Sequence, residues 1–536
     1  MGINGLWKAI ETIGQRKSLT SIAYDLKRDG HLSEGRGLPC FGVDLSPCMD
    51  ECVAATMAQG VNGQLPGGPL YIFFHKLVAY LEVPATFVFV FDGPKRPATK
   101  RGRQVRHQVW WGTVVEELIL AFGFRVHHAP GEAEAELAML NHLRMIDGVI
   151  TSDSDAFIFG TRRVIRTIPN KLKEFTDEFE VYSADGLEEK LRLTLGGVTL
   201  FALLAGGDYD ETGVSGCGQA ISLGLAQCGF GDELLATSCQ FLHSDGAEFD
   251  HFIQDWRASL CEELRTNSRG NLSGRRPDIA QKIENSEFPD SRIVTLYIHP
   301  STSADSLPDP ASWFLVHDLL LNRIAQFCQQ HLQWPMEGLL KNKLKKVIFP
   351  AIVLRMLHSP MTFYDSETRM LIGPAFQVTI HKVLWKTRKG HFASRYGATK
   401  QPRLIVSTSN FLALLGYPQE DGDSISVWAP REALPLELQD EDQLESGPSK
   451  SRGPRRKKRQ TSSIGTKKRA KGKHSTYQMP SAPSTSVAED CIAGPSSLAN
   501  KHPIQWLGFI DLTSEAQSET GSQVSKKEVI DLTTGD

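Results

Sequence analysis

Three short apolar runs in this chain stop at an aspartate: Phe41-Gly42-Val43-Asp44, Thr86-Phe87-Val88-Phe89-Val90-Phe91-Asp92 and Gly148-Val149-Ile150-Thr151-Ser152-Asp153. Continuous β-branched and aromatic runs, separated by stretches with helical character, predict parallel strands buried on both faces. In open α/β sheets, ligands sit beyond the carboxyl ends of the strands. Three strands that each close on an aspartate therefore predict one shared acidic edge.

The chain has 536 residues, 40% of them hydrophobic and 23% charged, which suits two or three domains and excludes a wholly disordered polymer. No apolar run approaches the length of a membrane helix, and the first residues lack the charged-then-apolar order of a signal peptide. Leu6 stands where a myristoylation signal needs Ser or Thr. A soluble, intracellular protein without a membrane partner is expected. Nine cysteines at irregular gaps make no disulfide framework, and Cys48 and Cys52 lack the Cys or His company of a zinc site; they are expected inside a helix. The net charge of −3 hides an asymmetry: between Ser446 and Val487 stand twelve Lys or Arg and no acid. An acidic body with a basic tail fits a nucleic-acid enzyme with a metal site, and equally a chromatin scaffold.

The acids themselves narrow this. Asp44, Asp92, Glu132, Glu134, Asp153, Asp155 and Asp208 form a spaced set of oxygen donors. Phosphodiester hydrolysis uses two divalent ions held roughly 3.5–4 Å apart. Mg2+ takes few carboxylates per ion and keeps water, so several acids shared over two ions suit it. Asp153 and Asp155 share a side if the chain there is extended. Glu132 and Glu134 would diverge on a regular helix and converge only if Pro130-Gly131 marks the helix entry, with Glu136 as competitor at i+4 from Glu132. Any one of these acids taken singly reads as well as a solvated surface group. A basic segment follows the second aspartate, with Lys95, Arg96, Lys100, Arg101, Arg103 and Arg106 and no acid before Glu116; it suits backbone phosphates, or else a solvated loop. Gly213, Gly216 and Gly218 precede a stretch, Gln219 to Cys228, that reads as helical, where backbone N–H groups could meet a phosphate.

These stretches, together with Met1-Gly2-Ile3-Asn4-Gly5-Leu6-Trp7, Ala129-Pro130-Gly131-Glu132-Ala133-Glu134-Ala135-Glu136, Thr151-Ser152-Asp153-Ser154-Asp155-Ala156-Phe157 and Leu204-Ala205-Gly206-Gly207-Asp208-Tyr209, resemble the structure-specific 5′ nucleases of the flap endonuclease/XPG class over roughly the first 230 residues. The resemblance implies an α/β, PIN-like core with a mostly parallel sheet flanked by helices. It implies two Mg2+ ions (Mn2+ as a substitute), one on the side of Asp44, Asp92, Glu132 and Glu134 and the other on that of Asp153, Asp155 and Asp208. It also implies a helix-two-turn-helix from near Gly213 that binds uncut duplex and a monovalent cation, K+, and a Gly2 close to the junction base pairs. The product would carry a 5′-phosphate. Two departures stand out. Gln219-Ala220 replaces a Pro-Lys pair, and the forty positions from Asp92 to Glu132 leave little room for a threading arch. Lys100 with Arg103 or Arg106 is the expected phosphate-steering set.

The later chain is similar to the region following the core in eukaryotic Holliday-junction resolvases. Helical stretches at Trp313–Gln333 and Gly338–Leu357 lead into strands at Phe376–Ile380 and Arg403–Val406, implying a chromodomain-like α+β module; a small β-rich packing module is the alternative. The expected divisions are 1–112 and 113–210 for the core, 211–290 for the helix-two-turn-helix and following helices, 291–430 for the module, and 431–536 for a disordered tail. In the tail, Arg455, Arg456, Lys457, Lys458 and Arg459 with Lys467, Lys468 and Arg469 read as a two-part nuclear signal. Ile510, Asp511 and Leu512, and again Val529, Ile530, Asp531 and Leu532, resemble SUMO-interacting motifs able to add a strand to a partner's sheet. The expected function is a nuclear, Mg2+-dependent endonuclease of branched DNA, a Holliday-junction resolvase that also cuts 5′ flaps, acting as a dimer on junctions and able to meet SUMO or sumoylated proteins. The rivals are a flap or repair nuclease without junction resolution and a catalytically dead scaffold. The scaffold would have lost two or more of the seven acids, and all seven stand.

Overall fold

The computed structural model describes residues 2–439 except 31, 33–35, 59–66, 106–108, 169–177, 241–245, 308–312, 314–316, 335–337, 388–399 and 419–422. Arg106 lies outside the described residues. So do the basic clusters Arg455 to Arg459 and Lys467 to Arg469, and the motifs at Ile510 to Leu512 and Val529 to Leu532.

The core is a seven-stranded sheet. It begins with β1 (Gln15–Ser18), β2 (Cys40–Asp44) and β3 (Thr86–Phe91), after which a small separate hairpin intervenes, β4 (Thr99–Lys100) and β5 (Arg103–Gln104). The sheet resumes with β6 (Arg125–His128), β7 (Gly148–Ile150), β8 (Arg163–Thr167) and β9 (Glu178–Ser183), and its spatial order is β1-β9-β8-β7-β2-β3-β6. The five strands from β8 to β6 are parallel, while β9 and β1 close one side antiparallel. This is the mostly parallel α/β sheet expected from the apolar runs.

Those runs are continuous because both faces are covered. Along β3, Phe87 and Phe89 pack with Phe73, Phe74 and Phe122 on one face, whereas Val88 and Val90 meet Ala133, Leu137 and Leu140 of the Ala133–His142 helix on the other. The helix comes close enough that a Cβ on Gly42 in β2 would overlap Leu137. Alternation of side chains across the strand thus converts one apolar run into two packed layers.

Two further assemblies adjoin the sheet. The helices Leu195–Ala205, Gln219–Ala226, Phe230–Gln240, Gly246–Thr266 and Pro277–Glu284 share a core with Leu6, Ile10, Phe157 and Tyr182. Towards the C-terminus, the helices Leu321–His331 and Leu339–His358 lead to a five-stranded antiparallel sheet: β10 (Phe363–Asp365), β11 (Met370–Ile372), β12 (Gln377–Thr387), β13 (Lys400–Ser407) and β14 (Ser424–Trp428). Ile348, Phe349 and Ile352 of the long helix lie in one apolar cluster with Phe74 and Phe122 on one side and Val406 and Phe411 on the other. The antiparallel sheet is therefore joined to the core through buried side chains.

Candidate active site

The strands β7, β2 and β3 are neighbours, so their carboxyl ends lie side by side. Asp44 is the last residue of β2 and is 1% exposed; its Oδ2 accepts a hydrogen bond from Thr151 Oγ1 at 3.0 Å, just past β7. Asp92 follows β3 and is clamped from three directions. Ser46 Oγ donates to it at 2.7 Å, Arg96 at 2.9 Å, and the backbone N–H of Ala133 at 3.0 Å. The last of these sets Asp92 at the N-terminus of the Ala133–His142 helix, where a negative charge is favoured.

The two glutamates converge because of how that helix starts. Glu132 is its N-cap residue, still extended at φ −82 and ψ 138, and Glu134 sits in the first turn; both are buried. Pro130-Gly131 does mark the entry. Glu136 leaves the site altogether: its carboxylate accepts from the Ser303 backbone N–H at 2.9 Å and pairs with His127 Nε2 at 2.6 Å. The other acidic pair departs from expectation. β7 ends at Ile150, and Asp155 opens a one-turn helix, Asp155–Ile158, so the chain at 153–155 is a turn and not extended strand. The carboxylates still associate, because the Asp155 N–H donates to Asp153 Oδ1 at 3.1 Å.

Two chain segments press on this turn. Gly2, at φ +86, lies so close that a Cβ there would overlap Asp153 Oδ1, Asp155 Oδ1 and Ser154 Oγ. The β4–β5 hairpin turns through Arg101 and Gly102, both at positive φ, and delivers two cations. Lys100 Nζ pairs with Glu132, lies 3.3 Å from Asp208 and 3.7 Å from Glu134; Arg101 Nε is 2.7 Å from Asp208 and its guanidinium also meets the Gly2 carbonyl.

The electrostatics follow from crowding. Burial, then Glu134 and Asp92, hold the Asp44 carboxyl well above its usual range; burial, then Asp153 and Asp208, do the same for Asp155. Glu134 is pushed up to about 8 by burial, against the opposing pull of Lys100. Burial works against the Lys100 ammonium, yet Glu134, Glu132 and Asp208 overcome it and raise its pKa. Among the described residues no three His, Cys, Asp or Glu side chains are grouped, as they stand, so as to hold a metal ion; Lys100 stands among the acids as their counter-charge. The donor set nonetheless fits hard cations. Asp44 Oδ1, Glu134 Oε2 and Asp155 Oδ1 are buried oxygens without a hydrogen-bond partner, and buried charge of that kind is costly unless a cation or proton joins it.

That crowding has a measurable consequence. Between the ordinary carboxylate range and about 8, folded Glu134 holds a proton that the unfolded chain releases, so stability falls as pH rises through that window and levels off above it. Thermal melts in chelator should therefore drop by a few degrees from pH 6 to pH 8.5. Added Mg2+ should stabilise more at the higher pH, because it competes with protons for the same oxygens. A melting temperature flat across this range would contradict the buried, crowded carboxylate.

Of the other expected residues, Lys100 enters the site but Arg103 does not: it is exposed on β5 and makes no ion pair among the described residues, and Arg101 takes the place beside Asp208. The hairpin turn decides this, since its positive-φ residues swing Arg101 inward. Arg96 is spent on Asp92, while Lys95 is exposed. Gly213 serves packing, because a Cβ there would overlap the Leu204 carbonyl; Gly216 has φ +90, and Gly218 caps the Gln219–Ala226 helix with open space beside it. Several residues escaped the sequence reading. Tyr209 donates its hydroxyl to Glu132, and its ring meets that of Tyr297 with centroids 4.6 Å apart. Position 209 adjoins Asp208 and could have been suspected; Tyr297 comes almost ninety residues later, in a stretch whose sequence carries no signal tying it to the acids. Lys282, from the Pro277–Glu284 helix, donates to the Ser215 carbonyl at 3.1 Å and brings a cation to the glycine turn that lacks the Pro-Lys pair.

Comparison with known proteins is consistent with this arrangement. Residues 123–208 match the model of the XPG I-region. Flap endonuclease GEN-like 1 of Oryza sativa subsp. japonica is 40% identical over 120 residues, 22% of this chain and 19% of that protein. Over its nuclease-like core the chain is similar to the XPG/flap-endonuclease family, and to its GEN branch. Flap endonuclease GEN homolog 1 of Mus musculus is 28% identical over 261 residues, 45% of this chain and 27% of that protein. The matches thus span about a fifth to a quarter of the length of these curated relatives. A solved structure described as a eukaryotic junction-resolving enzyme GEN-1 binding with cesium superposes with a TM-score of 0.62 at 25% identity, covering 83% of this chain and 99% of that one. The I-region match ends at Asp208 and contains Glu132, Glu134, Asp153 and Asp155.

Proposed function

We propose that this chain is a metal-dependent, structure-specific endonuclease of branched DNA, a Holliday-junction resolvase that also cuts 5′ flaps. The observation that carries the reading is the gathering of seven acids, from five separate stretches of sequence, at the carboxyl edge of one parallel sheet, with three buried oxygens left unpartnered. Asp44, Asp92, Glu132 and Glu134 would hold one divalent ion, and Asp153, Asp155 and Asp208 the other. When bound, such ions lower the pKa of an attacking water and stabilise charge on the scissile phosphate. The chain's own residues supply the rest. Lys100 and Arg101, already drawn to the acids, are placed to turn towards a phosphate that enters the site and to orient it. Thr151, Ser46 and Tyr209 fix the rotamers of Asp44, Asp92 and Glu132. Gly2 leaves the room beside Asp153 and Asp155 that a side chain would fill.

Junction resolution is favoured over flap cutting alone by the short stretch between Asp92 and Glu132, whose described part holds a two-strand hairpin and the Gly112–Ala121 helix. The likeness to a structure named as a junction-resolving enzyme supports the same side. In this reading the glycine turn at 213–218, with K+ and Lys282, grips uncut duplex. The sheet β10–β14 is a chromodomain-like DNA contact, two copies act on one junction, and the tail brings the protein to the nucleus and to SUMO. None of the described helices is long and apolar enough to cross a membrane.

The test is cleavage of matched substrates, an immobile four-way junction and a 5′ flap, with Mg2+ against Ca2+. Paired symmetric nicks on the junction and single nicks on the flap are expected, in Mg2+ alone. Because symmetric cutting needs two copies, single junction nicks at every protein concentration would favour the flap nuclease. No cutting of either substrate would reject the enzyme.

A further inference from the structure

The segment that leads from the hairpin to the Gly112–Ala121 helix ends in two adjacent indoles with opposite fates. Trp111 is buried against Phe91, ring centroids 6.1 Å apart, and Phe91 immediately precedes Asp92. Trp110 is 67% exposed, with Val109 beside it 41% exposed. Among the described residues the Trp110 indole makes no hydrogen bond, ion pair or ring contact. An anchored neighbour, packed on the residue before Asp92, thus holds a large flat ring in solvent, where a scattered surface hydrophobe would need no such support.

Charge says what can cover it. From Gly93 to Val115 the chain has Lys and Arg but no acid, and Lys95 and Arg103 are exposed. A ligand for an exposed indole in that field combines a polyanionic backbone with flat rings, and a single nucleic-acid strand does so. Fully paired duplex hides its ring faces within the stack, so only an unpaired base can offer one to Trp110.

We propose that Trp110 is a stacking platform for an unpaired base of the single strand that leaves the branch beside the cut site. The proposal rests on the endonuclease reading and adds a ligand subsite to it. Stacking on an aromatic side chain tolerates every base, so the subsite reads single-strandedness and not sequence.

The test measures affinity by fluorescence anisotropy in Ca2+, on a 5′ flap and on blunt duplex of equal length, for wild type, W110A and W110F. W110A should weaken flap binding by about 5- to 150-fold and leave duplex binding unchanged, and W110F should keep most of the affinity. With wild-type protein, a flap whose first unpaired nucleotides are abasic should show the same loss, a readout independent of how the variants fold. Flap affinity within twofold of wild type for W110A, or indifference of wild type to the abasic flap, overturns the proposal while leaving the nuclease reading intact. Failure of wild type to bind any branched DNA removes both.

Discussion

Replacing Asp155 by Asn is expected to reduce cleavage by on the order of 10³-fold while branched DNA still binds. The carboxylate is buried, begins its own one-turn helix, and leaves Oδ1 without a hydrogen-bond partner. Asn preserves shape and removes the charge an ion needs. The same change should raise the melting temperature of the metal-free protein, because burial, Asp153 and Asp208 all disfavour the Asp155 charge. Loss of activity with a gain in metal-free stability is the signature of a ligand held in readiness. Cleavage near the wild-type rate would refute the metal assignment, and a loss of both activity and stability would mark Asp155 as a structural residue instead.

Gly2→Ala should cost on the order of 10²-fold in cleavage although it alters no charged or polar group. A methyl there would overlap the carboxylates of Asp153 and Asp155, and the backbone at φ +86 resists any residue with a Cβ. The N-terminal segment must then lift away, taking with it the Gly2 carbonyl that receives Arg101 and the Ile3 N–H that donates to Ser154 Oγ at 2.8 Å. Ala at Gly30, which also has positive φ but nothing nearby to clash with, is the control and should cleave normally. Equal activity of the two variants, with wild-type Mn2+ affinity in both, would show that the N-terminus does not shape the site.

The sheet was legible because its cause is local. Apolar runs of β-branched and aromatic residues have one economical fate, burial on both faces, and β2, β3 and β7 form where those runs lie. The sequence alone therefore sets their following aspartates at one edge. The glutamates were legible only conditionally: the Pro130-Gly131 entry put Glu132 at the N-cap, and removal of Glu136 depended on Ser303, a partner 167 residues away. Arg101 and Arg103 carry the same charge signal in the sequence, and a turn of two positive-φ residues decides that Arg101 is the one beside Asp208. Asp153 and Asp155 met through a turn where an extended segment was expected, since a short apolar run does not mark where its strand stops.

What the amino-acid sequence determined by itself was thus the parallel sheet, its acidic edge and the basic segment beyond the second aspartate, because periodicity and charge act between near neighbours. What tertiary structure alone decided was who stands opposite those acids, namely Gly2, Lys100, Arg101, Tyr209 and Tyr297, and that Lys282 reaches the glycine turn. Such pairings join residues far apart in the chain, and their energy depends on distance and burial, which exist only once the whole core has closed.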